Sequence, residues 1–157
     1  MSSRELSSEN VRQFRESYKE LEGVYDQFPK FCGLSSTEYW ALTMIYEGVS
    51  TQYGISEHLS LSRQTVNSAF RSLRKKGLVE LKALDDNLRV KKIYLTKSGK
   101  EFVKNELLSI HKLEEIVWEQ MEKKEKEELI YLLDKYKDLL SKEVKEFQNK
   151  KQSSEDL

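Results

Sequence analysis

The sequence predicts a mainly α-helical chain carrying one small β-hairpin. Three observations support this. Most of the 157 residues fall in stretches whose apolar positions recur every three or four residues, with a single proline, Pro29, to interrupt them. One segment, Leu78 to Leu95, instead alternates apolar and polar residues around the turn-forming run Asp85-Asp86-Asn87. Hydroxyl or acidic caps and glycine stops recur at the expected helix ends.

The first helix is expected from about Ser8 to Gln27, where Val11, Phe14, Tyr18, Leu21, Tyr25 and Phe28 form one stripe. Pro29 and Gly33 end it. In SSTEYWALTMIYEG, Ser35 and Glu38 have the spacing of a capping box, and Gly48 offers a left-handed stop. Trp40, Leu42, Ile45 and Tyr46 make this second helix a buried one. A short helix follows, from about Thr51 to Leu59, capped by Ser50 or Thr51, although Gly54 weakens it. After Ser60-Leu61-Ser62, Ser62 can cap a further helix to Lys76, which buries Val66, Phe70 and Leu73 at i, i+4, i+7. Lys75 and Lys76 complement its dipole, and Gly77 closes it. Leu78–Leu84 and Val90–Leu95 are the hairpin strands. Thr96 caps a long helix to about Glu119 through Phe102, Val103, Leu107, Ile110, Leu113, Val117 and Trp118. A last helix starts in the solvated run Lys124–Glu128 and extends to about Gln148 along Leu129, Leu132, Leu133, Tyr136, Leu139, Leu140, Val144 and Phe147. The polar residues 149–157 are expected to be frayed or disordered.

The formal charge is balanced, with 27 basic and 27 acidic residues, but it is unevenly placed. Residues 51–100 hold 11 Lys/Arg against 4 Asp/Glu, a balance of +7, which leaves 16 against 23, or −7, in the rest. A basic middle between acidic arms suits a chain whose centre meets a polyanion. No apolar run approaches the ~18 residues of a membrane span, and MSSRELSSEN has no apolar signal core. Cys32 is the single cysteine, which excludes an intrachain disulfide and fits a reducing compartment. A cytoplasmic location and no membrane partner are therefore expected.

Helix, tight turn, helix, strand, turn, strand is a helix-turn-helix with a hairpin wing. A recognition helix needs one apolar side to seat it and another side with groups for base edges and phosphates. From Ser62 to Lys76 the seated side is Val66, Phe70 and Leu73. The free side presents Arg63, Gln64, Asn67, Ser68 and Arg71. Arg suits guanine, and Asn or Gln suits adenine, in the major groove. Arg63, Gln64 and Asn67 are thus candidates to read bases. Ser62, Thr65, Ser68, Arg71 and Thr51 are candidates to hold phosphates, with Lys91 and Lys92 on the wing.

TQYGISEHLSLSRQTVNSAFRSLRKKGLVEL followed by RVKKIYLTKSGKEF resembles the multiple-antibiotic-resistance regulator (MarR) family of winged-helix transcription factors. The resemblance extends over roughly residues 10–147. It implies a homodimer joined through the first and last two helices, and a wing entering the minor groove with an Asp-x-Arg tip. Here the tip is Asn87-Leu88-Arg89; Arg89 matches the family arginine, and Asn87 replaces the aspartate, just after Asp85 and Asp86. It divides the chain into an N-terminal dimerisation helix (1–34), a winged helix-turn-helix (35–100), C-terminal dimerisation helices (101–148) and the tail (149–157). The apolar stripes of the flanking helices agree, since a core of about 100 residues cannot cover them and a large exposed patch marks an interface.

The family often takes a small aromatic or anionic effector where the two parts meet, which singles out Tyr25, Phe28, Tyr39, Trp40 and Trp118. Aromatics at helical spacing are more often core than pocket. Some relatives sense through a thiol in the first helix, but Cys32 lies after it. Cys32, Glu38 and His111 fall in regions where others bind zinc, but the second and third histidines are absent, so neither a metal nor a cofactor is expected. No phosphate-cradling loop or nucleophile motif points to an enzyme. The expected function is a homodimeric, sequence-specific regulator on a pseudo-palindromic operator, most simply a repressor released by a ligand. Two alternatives remain open: an architectural DNA-coating protein without an effector, and a winged-helix module that binds proteins.

Overall fold

In a computed structural model, residues 9–84 and 87–155 are described, with side chains for residues 9–82 and 92–153. Eight α-helices and one hairpin are found among them: α1 (Glu9–Tyr25), α2 (Phe28–Phe31), α3 (Ser36–Tyr46), α4 (Gln52–Leu59), α5 (Arg63–Lys75), β1 (Val79–Leu84), β2 (Asn87–Leu95), α6 (Lys97–Phe102), α7 (Leu108–Glu119) and α8 (Lys123–Glu155). A π-helical turn, Val103–Leu107, links α6 to α7. The chain divides into a unit through His111 and a second from Lys112.

The core of the first unit joins α2 to α6, the hairpin and the start of α7. Tyr39, Leu42, Ile55, Val66, Phe70, Leu73, Val103 and Leu107 are its most buried side chains. The caps act as their residue types require. Ser35 and Glu38 form the capping box of α3, with the Ser35 Oγ accepting from the Glu38 N–H and the Glu38 carboxylate from the Ser35 N–H. Thr51, Ser62 and Thr96 cap α4, α5 and α6, each accepting from the N–H three residues on. Gly48 and Gly77 take φ of 102° and 72°, the left-handed stops after α3 and α5.

Three details differ from expectation. Pro29 starts a one-turn helix, α2, instead of simply ending α1; in a first turn its missing N–H costs nothing. On α3 it is Tyr39 that is fully buried, while Trp40 is half-buried and Tyr46 is exposed. The long helix after Thr96 is broken by the π turn, closed by the bond from the Leu108 N–H to the Val103 carbonyl five residues back. In addition, α8 continues through Glu155, past the expected stop near Gln148.

The hairpin is antiparallel, pairing Val79 with Leu95, Leu81 with Ile93, and Lys82 with Lys92. Val79 and Ile93 are buried, and the Ile93 N–H donates to the Ser50 carbonyl (2.9 Å), which ties the wing to the α3–α4 turn. The foot of the wing is tied as closely. The Thr96 N–H donates to the Leu78 carbonyl (3.1 Å), and the Thr96 hydroxyl to the Gly77 carbonyl (2.5 Å). Gly99 lies so near this turn that a Cβ there would collide with the Leu78 carbonyl.

Both α1 and α8 carry apolar stripes at the surface of the single chain. On α1, Tyr18 and Leu21 are exposed; on α8, Leu139 is 58% and Phe147 69% exposed, and no described α8 side chain is buried. None of the described helices is long and apolar enough to cross a membrane.

Candidate nucleic-acid interface

The α4–α5 pair is joined by a locked turn. Ser60 takes a left-handed φ of 51°, the Leu61 N–H donates to the Ser56 carbonyl, and the Ser56 hydroxyl donates back to the Leu61 carbonyl (2.6 Å). Two hydrogen bonds across five residues fix the angle at which α5 leaves α4.

One side of α5 is core: Val66, Ala69, Phe70 and Leu73 are all buried. Their positions set the rotation of the helix, and that rotation decides what the other side offers. Arg63, Gln64, Thr65, Ser68 and Arg71 are exposed and Asn67 is half-buried. The six polar candidates from sequence therefore lie together, on a single helix, away from the core. Ser62 accepts from the Thr65 N–H (3.0 Å), and its hydroxyl lies 2.8 Å from that of Thr65. Both hydroxyls are exposed but already engaged in the cap. Thr51 is similarly occupied, accepting from the Gly54 N–H (3.0 Å), and is half-buried. Lys92 is half-buried on the wing. The side chains of Asn87, Arg89 and Lys91 lie outside the described residues.

Sequence reading missed Tyr53. It sits in the first turn of α4, exposed, with the Arg63 guanidinium 5.5 Å from its ring centroid. Gln52, Tyr53, Arg63 and Asn67 line a concavity of about 320 Å³. The contact joins two helices, and no local pattern announces it.

Glu38 and Lys76 form a second contact invisible to local reading. Lys76 Nζ lies 2.7 and 2.9 Å from the two carboxylate oxygens of Glu38, which is only 4% exposed. The cation that closes α5 thus ties it to the start of α3. Burial pushes the Glu38 carboxyl up, but hydrogen bonds from Lys76, Ser72 and the Ser35 N–H outweigh it, so the group is held below its ordinary value of 4.5. A lowered carboxyl stabilises the fold above its unfolded value, and that stability is lost as pH falls through the folded one. Glu38→Gln is therefore expected to cost about 2 kcal/mol at neutral pH. Urea unfolding of both proteins at about pH 7 and about pH 3 should show the penalty shrinking in acid; equal penalties would contradict this.

Of the aromatic candidates, Tyr25, Phe28, Tyr39 and Trp40 do come together. Ring centroids are 5.1 Å apart for Tyr25–Phe28 and for Tyr39–Trp40, 5.9 Å for Tyr25–Trp40 and 6.3 Å for Phe28–Tyr39. These rings pack on one another, edge to face or tilted, as core aromatics do. Trp118 belongs to the second unit and is 39% exposed. Cys32 is half-buried, its thiol 3.8 Å from the Phe28 carbonyl. Burial and the nearby Glu106 both push that thiol up, the opposite of an activated thiolate. His111 packs edge-on to Tyr39 at 6.4 Å.

This arrangement of α3, α4, α5 and the wing can be set beside known proteins. The MarR family model matches residues 33–89, the stretch from the end of α2 to the wing. These residues form a winged helix and are similar in sequence to that family. Solved MarR-family structures extend the likeness in fold to most of the chain. NMB1585, a MarR family regulator from Neisseria meningitidis, is 23% identical, with a TM-score of 0.78 over 88% of this chain and 99% of its own. MepR of Staphylococcus aureus, solved as a DNA complex, is 24% identical with a TM-score of 0.67, covering 82% and 94%. A Staphylococcus aureus MarR in complex with salicylate and kanamycin is 18% identical with a TM-score of 0.65, covering 85% and 91%. No curated protein matches the chain. The winged helix and the flanking helices are thus shared in fold with these structures.

Proposed function

We propose that the protein is a homodimeric, sequence-specific DNA-binding transcriptional regulator. The observation that carries this reading is the exposed face of α5, where Arg63, Gln64, Asn67, Ser68 and Arg71 lie opposite a fully seated apolar side. Arg63, Gln64 and Asn67 read base edges in the major groove. Ser62, Thr65, Ser68, Arg71 and Thr51 meet phosphates, as do Lys91 and Lys92, while Arg89 with Asn87 reaches the minor groove from the wing. The similar MepR fold in complex with DNA supports the same mode here.

The apolar stripes of α1 and α8 support pairing of two copies, because surfaces of that extent mark an interface. On this reading residues 1–34 and 101–148 are the dimer parts and 35–100 the DNA-binding domain. Two-fold symmetry sets the two α5 helices about 34 Å apart and predicts a pseudo-palindromic site. Release of a repressor by a small aromatic or anionic ligand is supported by the similar MarR fold with bound salicylate, the Tyr25–Phe28–Tyr39–Trp40 cluster being where it would act. Such a regulator works in the cytoplasm, at the nucleoid.

Selection from a pool of random duplexes tests the reading. A two-fold repeat with half-sites about one helical turn apart is expected; no enrichment over the starting pool would contradict it. On the selected site, Asn67→Ala is expected to cost about 1–3 kcal/mol and to relax preference at one base pair per half-site. Competition with single-base variants measures this, and an unchanged preference would remove Asn67 from the reading set.

A further inference from the structure

On the reading of α5 as the recognition helix, we infer that Tyr53 is a positioning residue that holds the Arg63 guanidinium in its base-reading orientation, so that α4 acts through Arg63 on the preference at one base pair. Arg63 is the first residue of α5 and is exposed, with nothing in the helix itself to select one of its many rotamers. The Tyr53 ring supplies that selection from the neighbouring helix, with the guanidinium carbon 5.5 Å from its centroid. This is the distance of a cation–π contact, and a flat guanidinium is the cation that stacks best on a ring.

Two features place the contact where DNA is read. Arg63 and Asn67, one helical turn apart, line the same concavity as Gln52 and Tyr53. Tyr53 is also 58% exposed, far more than a core ring, so its ring face is free to serve a polar neighbour. Arg63 remains exposed beside the ring, so its N–H groups are open to acceptors such as the paired N7 and O6 of guanine. The locked Ser56–Leu61 turn holds the two helices at a fixed distance, so the ring and the arginine stay in register.

The test compares Tyr53→Leu, Tyr53→Phe and Arg63→Ala on the site selected by the wild-type protein. Arg63→Ala should abolish preference at one base pair of each half-site. Tyr53→Leu should lower affinity for the selected site about threefold and weaken preference at that same base pair, with salt dependence unchanged because no charge is lost. Tyr53→Phe keeps the ring and should behave like wild type. Tyr53→Leu combined with Arg63→Ala should add nothing to Arg63→Ala alone. Thermal unfolding of Tyr53→Leu should match wild type, since an exposed ring is removed. Full preference at the Arg63 base pair in Tyr53→Leu, or an equal loss of affinity for all sequences, would overturn the inference and leave the DNA-binding reading intact. Failure of the wild-type protein to select any site would overturn both.

Discussion

Phe70→Ala is expected to cost about 3–5 kcal/mol and, with it, the ability to bind DNA at assay temperature. Phe70 is 2% exposed and belongs to the cluster that includes Val66, Leu73, Leu42 and Ile55. Removing the ring loses its transfer free energy and leaves a cavity that the surrounding helices can only partly close. A domain's whole stability is about 5–15 kcal/mol, so this one change takes a large fraction of it. The consequence for function is specific. The same residues that bury α5 set its rotation, so loosening them lets the polar face swing away from the groove. Urea unfolding gives the stability change, and binding at low temperature separates misorientation from unfolding. A Phe70→Ala protein with wild-type stability would show that α5 is not seated by this ring.

Gly99→Ala is expected to be nearly as damaging, at about 3 kcal/mol, although it adds a single methyl group. The added Cβ meets the Leu78 backbone carbonyl, which no side-chain rotation can move. That carbonyl accepts the Thr96 N–H, and the Thr96 hydroxyl both donates to the Gly77 carbonyl and caps α6 through the Gly99 N–H. Moving Leu78 away therefore strains the joint where α5 turns into the wing and the wing into α6. The loss should appear in thermal unfolding and, because the wing is rooted at this joint, in weaker DNA binding at temperatures where the protein remains folded. A Gly99→Ala protein with an unchanged Tm would mean that the two turns are not held in contact.

Much of this was legible in the sequence because the signals were local. Ser35 with Glu38, Ser62 and Thr96 act within three residues of themselves, and each caps the helix assigned to it. Alternation from Leu78 onward marked the wing, and the period of Val66, Phe70 and Leu73 marked the buried side of α5, which in turn fixed its polar side. What escaped was non-local. Lys76 reads as a cation complementing a helix end, yet it pairs with a carboxylate 38 residues away. Nothing local marks Gly99, and only the neighbouring turn explains it. Tyr53 gains its meaning from Arg63 across a turn. The π turn at Val103–Leu107 escaped because no proline or glycine marks it, and its apolar spacing is that of an unbroken helix.

The alternatives to a sequence-specific regulator differ from it in what they bind. A protein-interaction module would favour an apolar or acidic outer face on α5, whereas this one carries Arg63, Gln64, Asn67 and Arg71. An architectural protein would keep that face but discriminate little between sequences.

The most direct measurement is a fluorescence-anisotropy titration of the purified protein with DNA from its own upstream region and with a scrambled duplex, at two salt concentrations. Tight binding to the upstream fragment, saturating at one dimer per site and exceeding the scrambled duplex at both salts, is the result expected. Equal and steeply salt-dependent binding to both duplexes, or no binding to either, would contradict it.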